Sequence, residues 1–208
     1  MQDSLFSLEL FDSGRTRLIA AYRDPDHGRF RRISQLLSVE ETTQLVLFSE
    51  AIRLQRVVGS PGKAAVEVGA SNLSHDPDSS HIRLTRSVAP LNEVQATTVD
   101  VETFLSTIEP VTCQVRERAQ SSKHGQSLAE HLDGMRLPDS MTAASQSEEI
   151  ISRLRDIAMI LLVEQASRKG SDFGRLLRAK SRQAEAKAEV ASVFEQIAQG
   201  FAPPAKAA

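Results

Sequence analysis

The chain has 208 residues, 40% hydrophobic and 25% charged, with a formal net charge of -2; this is an ordinary globular balance that can bury a core and by itself points to no class of partner. Its single cysteine, Cys113, excludes an intramolecular disulfide framework and any multi-cysteine zinc site, and fits a reducing compartment. The longest apolar run, IAMILLV at 157–163, is far short of the roughly 18 to 20 residues of a membrane span, so no membrane partner is expected, and MQDSLFSLEL lacks the pattern of a secretory or organellar leader.

In chain order, SLFSLELF (4–11) and TRLIAAYR (16–23) read as strands separated by the turn DSGR, and PDHG (25–28) separates the second from RFRRIS (29–34). A helix follows in LLSVEETTQLVLFSEAIRLQRVVG. Ser38 and Glu41 have capping-box spacing, Leu45, Phe48 and Ile52 supply its apolar face with Leu54 and Val57 less regular, and Gly59 stops it. The first unit is therefore βββα.

After the break GSPG (59–62), KAAVEVGASNL (63–73) reads as one strand with Val66, Val68 and Ala70 on one side. HIRLTRSVA (81–89) reads as the next, with Ile82, Leu84 and Val88 alternating, and SHDPDSS as the loop between them. EVQATTV (93–99) then enters a helix in which Val101, Phe104, Leu105 and Ile108 have helical spacing, and Pro110 is expected to kink or end it. The order is again βββα. VEETTQLVLFSEAI (39–52) and VDVETFLSTIEPV (99–111) start at the same point of each unit, about 60 residues apart, which reads as a degenerate internal duplication.

The composition changes beyond 120. SSKHGQ and RLPDSMTAASQS are linker-like, with SLAEHLDGM at best a short helix, so 120–145 is expected to be a linker after a 1–119 domain. Ser145 and Glu148 form a second capping box, and Gly170 with the N-cap residue Ser171 marks the turn of a two-helix hairpin over 146–200, followed by a loose tail at 201–208. In the first arm Ile150, Ile151, Leu154, Ile157, Ala158, Leu161 and Leu162 form a broad stripe that Met159, Ile160 and Val163 extend almost around the helix. Such a helix must be covered, either by the rest of the chain or by a subunit or partner on an interface of Leu154, Ile157, Leu161 and Leu162.

Charge is unevenly placed. Residues 13–34 carry Arg15, Arg17, Arg23, Arg29, Arg31 and Arg32 against Asp24 and Asp26, about +4, and residues 168–187 carry about +5. Arginines on strands flanking a turn, with Tyr22 and Phe30 nearby, offer forked donors for phosphates and ring faces for bases. The competing account is a solvated sheet face whose arginines pair with nearby acids. Among the five histidines only HDPDSSH (75–81) gathers two with two aspartates, and a polar loop explains it better than a metal site. There is no Gly-rich phosphate loop, nucleophile elbow or HExxH, so neither catalysis nor a cofactor is expected.

The succession FDSGRTRLIAAYRDPDHGRFRRISQLLSVEETTQLVLF, VEVGASNLSHDPDSSHIRLTRSV and ATTVDVETFLSTI resembles the tandem strand-and-helix plan of the Whirly family and the related mitochondrial guide-RNA-binding proteins, and more loosely PC4-type coactivators, over residues 4–119. The resemblance implies an α+β fold of two tandem βββα units that binds single-stranded RNA or DNA on sheet surfaces, often as an oligomer. RNA is favoured over DNA, and a mitochondrial matrix is slightly favoured, with the cytoplasm otherwise. The second unit would add Lys63, Arg83 and Arg86 to the basic sheet. GKAA (62–65) is similar to a Whirly signature but stands in the second unit, so no binding residue is carried over through it. The function expected is non-catalytic, largely sequence-nonspecific binding of the nucleic-acid backbone. The alternative is a structural or scaffold subunit of a larger protein or ribonucleoprotein assembly, docking through its C-terminal helices.

Overall fold

The computed structural model describes residues 6–23, 28–60, 62–88, 93–139, 141 and 147–202. It is an α+β protein with two antiparallel sheets. The chain groups into two compact units, one of residues 1–52 and 62–114 and one of residues 53–61 and 115–208.

In the first unit, β1 (Phe6–Leu10), β2 (Thr16–Arg23) and β3 (Phe30–Leu37) form a meander in the order β1-β2-β3. Register pairs Glu9 with Arg17, Leu18 with Gln35, and Ala20 with both Phe6 and Ile33. Because side chains alternate along a strand, one face holds Phe6, Leu18, Ala20, Tyr22, Ile33 and Leu37, all buried. The helix α1 (Val39–Val58) starts at the expected capping box: the Glu41 N–H donates to Ser38 Oγ at 3.1 Å and the Ser38 N–H to Glu41 Oε2 at 2.6 Å. Two of the donors that a helix N-terminus leaves open are thereby satisfied.

The second sheet departs from expectation. Residues 63–73 are two strands, β4 (Ala64–Val68) and β5 (Ser71–His75), joined by a tight turn at Gly69 and Ala70, and with β6 (His81–Val88) and β7 (Glu93–Asp100) they give the order β4-β5-β6-β7. The alternation of Val66, Val68 and Ala70 runs on through the turn and conceals it. Gly69 has φ +56°, which glycine adopts without the steric cost met by other residues. A Cβ there would also lie 1.7 Å from Gln35 Nε2. That amide closes the turn, with Nε2 donating to the Val68 carbonyl at 2.9 Å and Oε1 accepting from Ser71 Oγ at 2.9 Å. A second tie joins the sheets where Thr97 Oγ1 donates to the Ala21 carbonyl at 3.0 Å.

The helix α2 (Val101–Ser121) passes through Pro110 without ending. Proline removes one intrahelical donor, but its turn is the exposed one, with Ser106 and Pro110 both on the surface. Phe104, Leu105 and Ile108 before it and Val111, Val115 and Ala119 after it are buried, so packing on both sides carries the helix across. Phe104 is the aromatic hub of the first unit, its ring centroid 5.5 Å from Phe6 and 5.8 Å, edge-on, from Phe48.

In the second unit the expected linker contains a further helix, α3 (Lys123–Leu132), whose N-cap Ser122 accepts from the Gly125 N–H at 2.9 Å and which buries Leu128 and Leu132. The helix α4 (Ser147–Ser167) follows; the Ser145 half of its expected capping box lies outside the described residues. The second arm of the expected hairpin is broken into α5 (Asp172–Arg178), a 3-10 turn (Lys180–Arg182) and α6 (Gln183–Gly200), capped at Ser171, whose Oγ accepts from the Gly174 N–H at 3.1 Å. The reason is a one-residue slip in the apolar repeat. Phe173 and Leu177 are spaced by four, as are Ala186, Val190, Phe194 and Ala198, but the two series do not join, and Ala179 leaves helical geometry between them (φ -86°, ψ 97°). Gly174 meets α4 closely, since a Cβ there would lie 2.3 Å from the Ala166 carbonyl oxygen.

Ile150, Leu154, Ile157, Ala158, Met159, Ile160 and Leu162 of α4 are buried within the chain, and α3, α5 and α6 all pack on this helix. Of the four residues expected at an interface, Leu161 alone is half-buried rather than buried.

Candidate functional site

The face of the β1-β2-β3 sheet opposite the core carries Ser7 and Glu9 from β1, Arg17, Ile19 and Ala21 from β2, and Phe30, Arg32, Ser34 and Leu36 from β3. Ser7, Glu9, Arg17, Ile19, Arg32 and Ser34 line a shallow, open depression of about 480 Å³. Phe30 and Leu36 stand at its side, 67% and 42% exposed, whereas Ile19 is buried at its floor. Arg17 is held on two sides: its guanidinium donates to Glu9 Oε2 at 2.8 Å, and it lies over the Phe11 ring, 5.3 Å from the centroid. Both members of the ion pair are close to half-exposed, so solvent screens it and a competing anion can displace the carboxylate.

The structure brings Arg17, Phe30 and Arg32 of the expected residues onto this face and separates the others. Tyr22 is 8% exposed on the core face and offers no open ring. Arg31 pairs in register with Tyr22 and so takes the opposite side of β3 from Arg32. Arg15 is exposed at the β1–β2 turn and Arg29 just before β3; the Arg23 side chain and residues 24–27 lie outside the described residues. In the second sheet, Lys63 is exposed ahead of β4 and Arg83 is exposed on β6 opposite Ser74 and Thr98. Arg86, three residues on, takes the other face with Ser71 and Gln95, and its Nε is buried with no hydrogen-bond partner among the described residues. Arg83 and Arg86 therefore cannot form one basic surface.

Glu9, Ser7, Ser34 and Leu36 were not anticipated from sequence. Folding the first two strands back about DSGR sets Glu9 opposite Arg17, which is the signal that locates the pair; Leu36 has none, being one leucine of an apolar doublet.

Three of the seven cations of the second basic block are held in local ion pairs. Arg168 pairs with Glu164 at 3.5 Å, Arg175 with Asp172 and Arg182 with Glu185. The helical unit also holds an open cleft lined by Gln120, Glu130, Asp133, Ser152, Arg155 and Asp156 among others. Burial raises the Asp156 carboxyl above its ordinary value, opposed by Arg116 at 3.1 Å and by Arg153. The segment HDPDSSH is a compact turn: His75 is buried with Nε2 3.1 Å from the Ser79 carbonyl oxygen, and Ser80 Oγ is 2.9 Å from His81 Nδ1. Its two imidazoles are thus engaged with the turn itself.

Fold and site together define an α+β protein with an open, arginine-bearing sheet face. Comparison of the chain with protein-family models, curated proteins and solved structures found no match.

Proposed function

We propose that the outer face of the β1-β2-β3 sheet binds single-stranded nucleic acid through its phosphates, without catalysis. The supporting observation is that Arg17 and Arg32 share one open depression with the Ser7 and Ser34 hydroxyls, beside an exposed phenylalanine. Guanidinium forks match phosphate oxygens and hydroxyls add neutral donors, while the Phe30 ring can stack one base whatever its identity. Among the described residues of this face the donors are guanidinium and hydroxyl groups suited to phosphates, so the binding is largely independent of sequence. Release of Glu9 from Arg17 is inexpensive because exposed pairs contribute about 1 kcal/mol or less. The preference for RNA over DNA rests on the resemblance to guide-RNA-binding proteins. Docking to a larger assembly through α4 has less support, since Leu154, Ile157 and Leu162 are already buried.

The test is fluorescence anisotropy of a labelled RNA strand of mixed sequence, repeated with DNA. With Arg17 and Arg32 each on one phosphate, the logarithmic salt slope is about -1.4, an affinity loss of about sevenfold between about 50 and about 200 mM salt. An Arg17→Ala/Arg32→Ala double variant should bind more weakly with a shallower slope. Affinity equal to wild type in the folded double variant would remove this face from the function.

A further inference from the structure

Strand β3 is a long open edge. Among the described residues its strand pairing is with β2 alone, at the end of the order β1-β2-β3. Sheet edges are ordinarily protected by charged side chains, lysine above all, by proline, a bulge, short length or a covering element. FRRISQLL has eight residues in unbroken register and no proline, and its charges are confined to the adjacent Arg31 and Arg32. Its two exposed apolar side chains, Phe30 and Leu36, lie on the same face at equal distances on either side of Ile33.

We infer that β3 pairs with β3 of a second copy of this chain, antiparallel across a two-fold axis at Ile33, joining two three-stranded sheets edge to edge. A two-fold contact between like strands is self-complementary, and paired residues in one sheet must point to the same face. Centring on Ile33 sets Phe30 against Leu36 of the second copy, Arg32 against Ser34 and Arg31 against Gln35. Both exposed apolar residues gain a cross-strand apolar partner and no arginine faces another. Centring on Arg32 opposes two arginines directly, and centring on Ser34 moves Phe30 past the strand end. Shifts that put the axis between residues set outward side chains against inward ones. The contact uses the edge and leaves the outer face open, so Arg17 and Arg32 of both copies share one continuous surface.

The inference does not depend on the nucleic-acid reading, because its test contains no nucleic acid. In a Cys113→Ser background, which removes the native thiol, Arg32→Cys and Ser34→Cys chains are prepared singly and as a co-refolded mixture, then mildly oxidised. The mixture should form a disulfide-linked dimer while each single variant stays largely uncrosslinked. Efficient Ser34→Cys or Arg32→Cys self-crosslinking overturns the register, and absence of crosslinking in the mixture overturns the pairing. Sedimentation supplies an independent reading: wild type should be a dimer, and Phe30→Lys/Leu36→Lys a monomer with unchanged circular dichroism. Wild type sedimenting as a monomer, or a variant sedimenting like the wild type, would refute the contact.

Discussion

Single residues carry three separable kinds of stabilisation in this chain. Ser38→Ala removes the side-chain half of the α1 capping box and should cost about 1 kcal/mol in urea unfolding. Gly69→Ala meets both a left-handed φ and the Gln35 amide, so it should cost more than about 1 kcal/mol; a neutral result would mean that the turn rearranges freely. Asp156 acts through pH. Its carboxyl titrates above its unfolded value because burial outweighs the pull of Arg116 and Arg153. Its contribution to stability is therefore full below the ordinary aspartate range and lost as pH rises through the raised value. Asp156→Asn should gain on the wild type between acidic and neutral pH, and a difference that stays flat in denaturant melts across that range would contradict the shift.

At the scale of elements, strand parity decides which arginines can cooperate. Arg31 and Arg32 are adjacent in sequence, yet register sends them to opposite faces of β3. Arg32→Ala should weaken RNA binding and reduce the salt slope by about 0.7, whereas Arg31→Ala should leave both nearly unchanged; equal losses would show that the ligand wraps the edge. Helix α2 supports a prediction of the opposite sign. Pro110 is exposed inside a continuous helix, so Pro110→Ala restores a donor and should stabilise the protein by up to about 3 kcal/mol, read as a higher melting temperature.

For the whole molecule, both α1 and α2 pass unbroken from the sheet unit into the helical unit. Leu54, Val115 and Ala119 belong to the helical unit and are buried. A fragment ending at residue 119 leaves their packing incomplete. It should melt below the full chain or aggregate, despite containing every strand. A fragment with full-length thermal stability would show that the sheet unit stands alone.

Local chemistry had already determined much of this protein. The α+β class, the α1 capping box, the Ser171 cap and the apolar stripe of α4 each follow from residues within one or two turns of one another. The same reasoning missed the hairpin at Gly69, because apolar alternation continues through it, and left open whether Pro110 bends or ends α2, where burial on both sides of the local defect keeps the helix continuous. The candidate site lay still further from view. Six arginines in one stretch are a fact of sequence, but strand pairing divides them, setting Arg17 beside Glu9 and Arg32 on the open face while Tyr22 turns to the core. Side-chain alternation assigns a residue to one of two faces; only the packing of helices and the second sheet decides which face is buried and which remains open to a ligand.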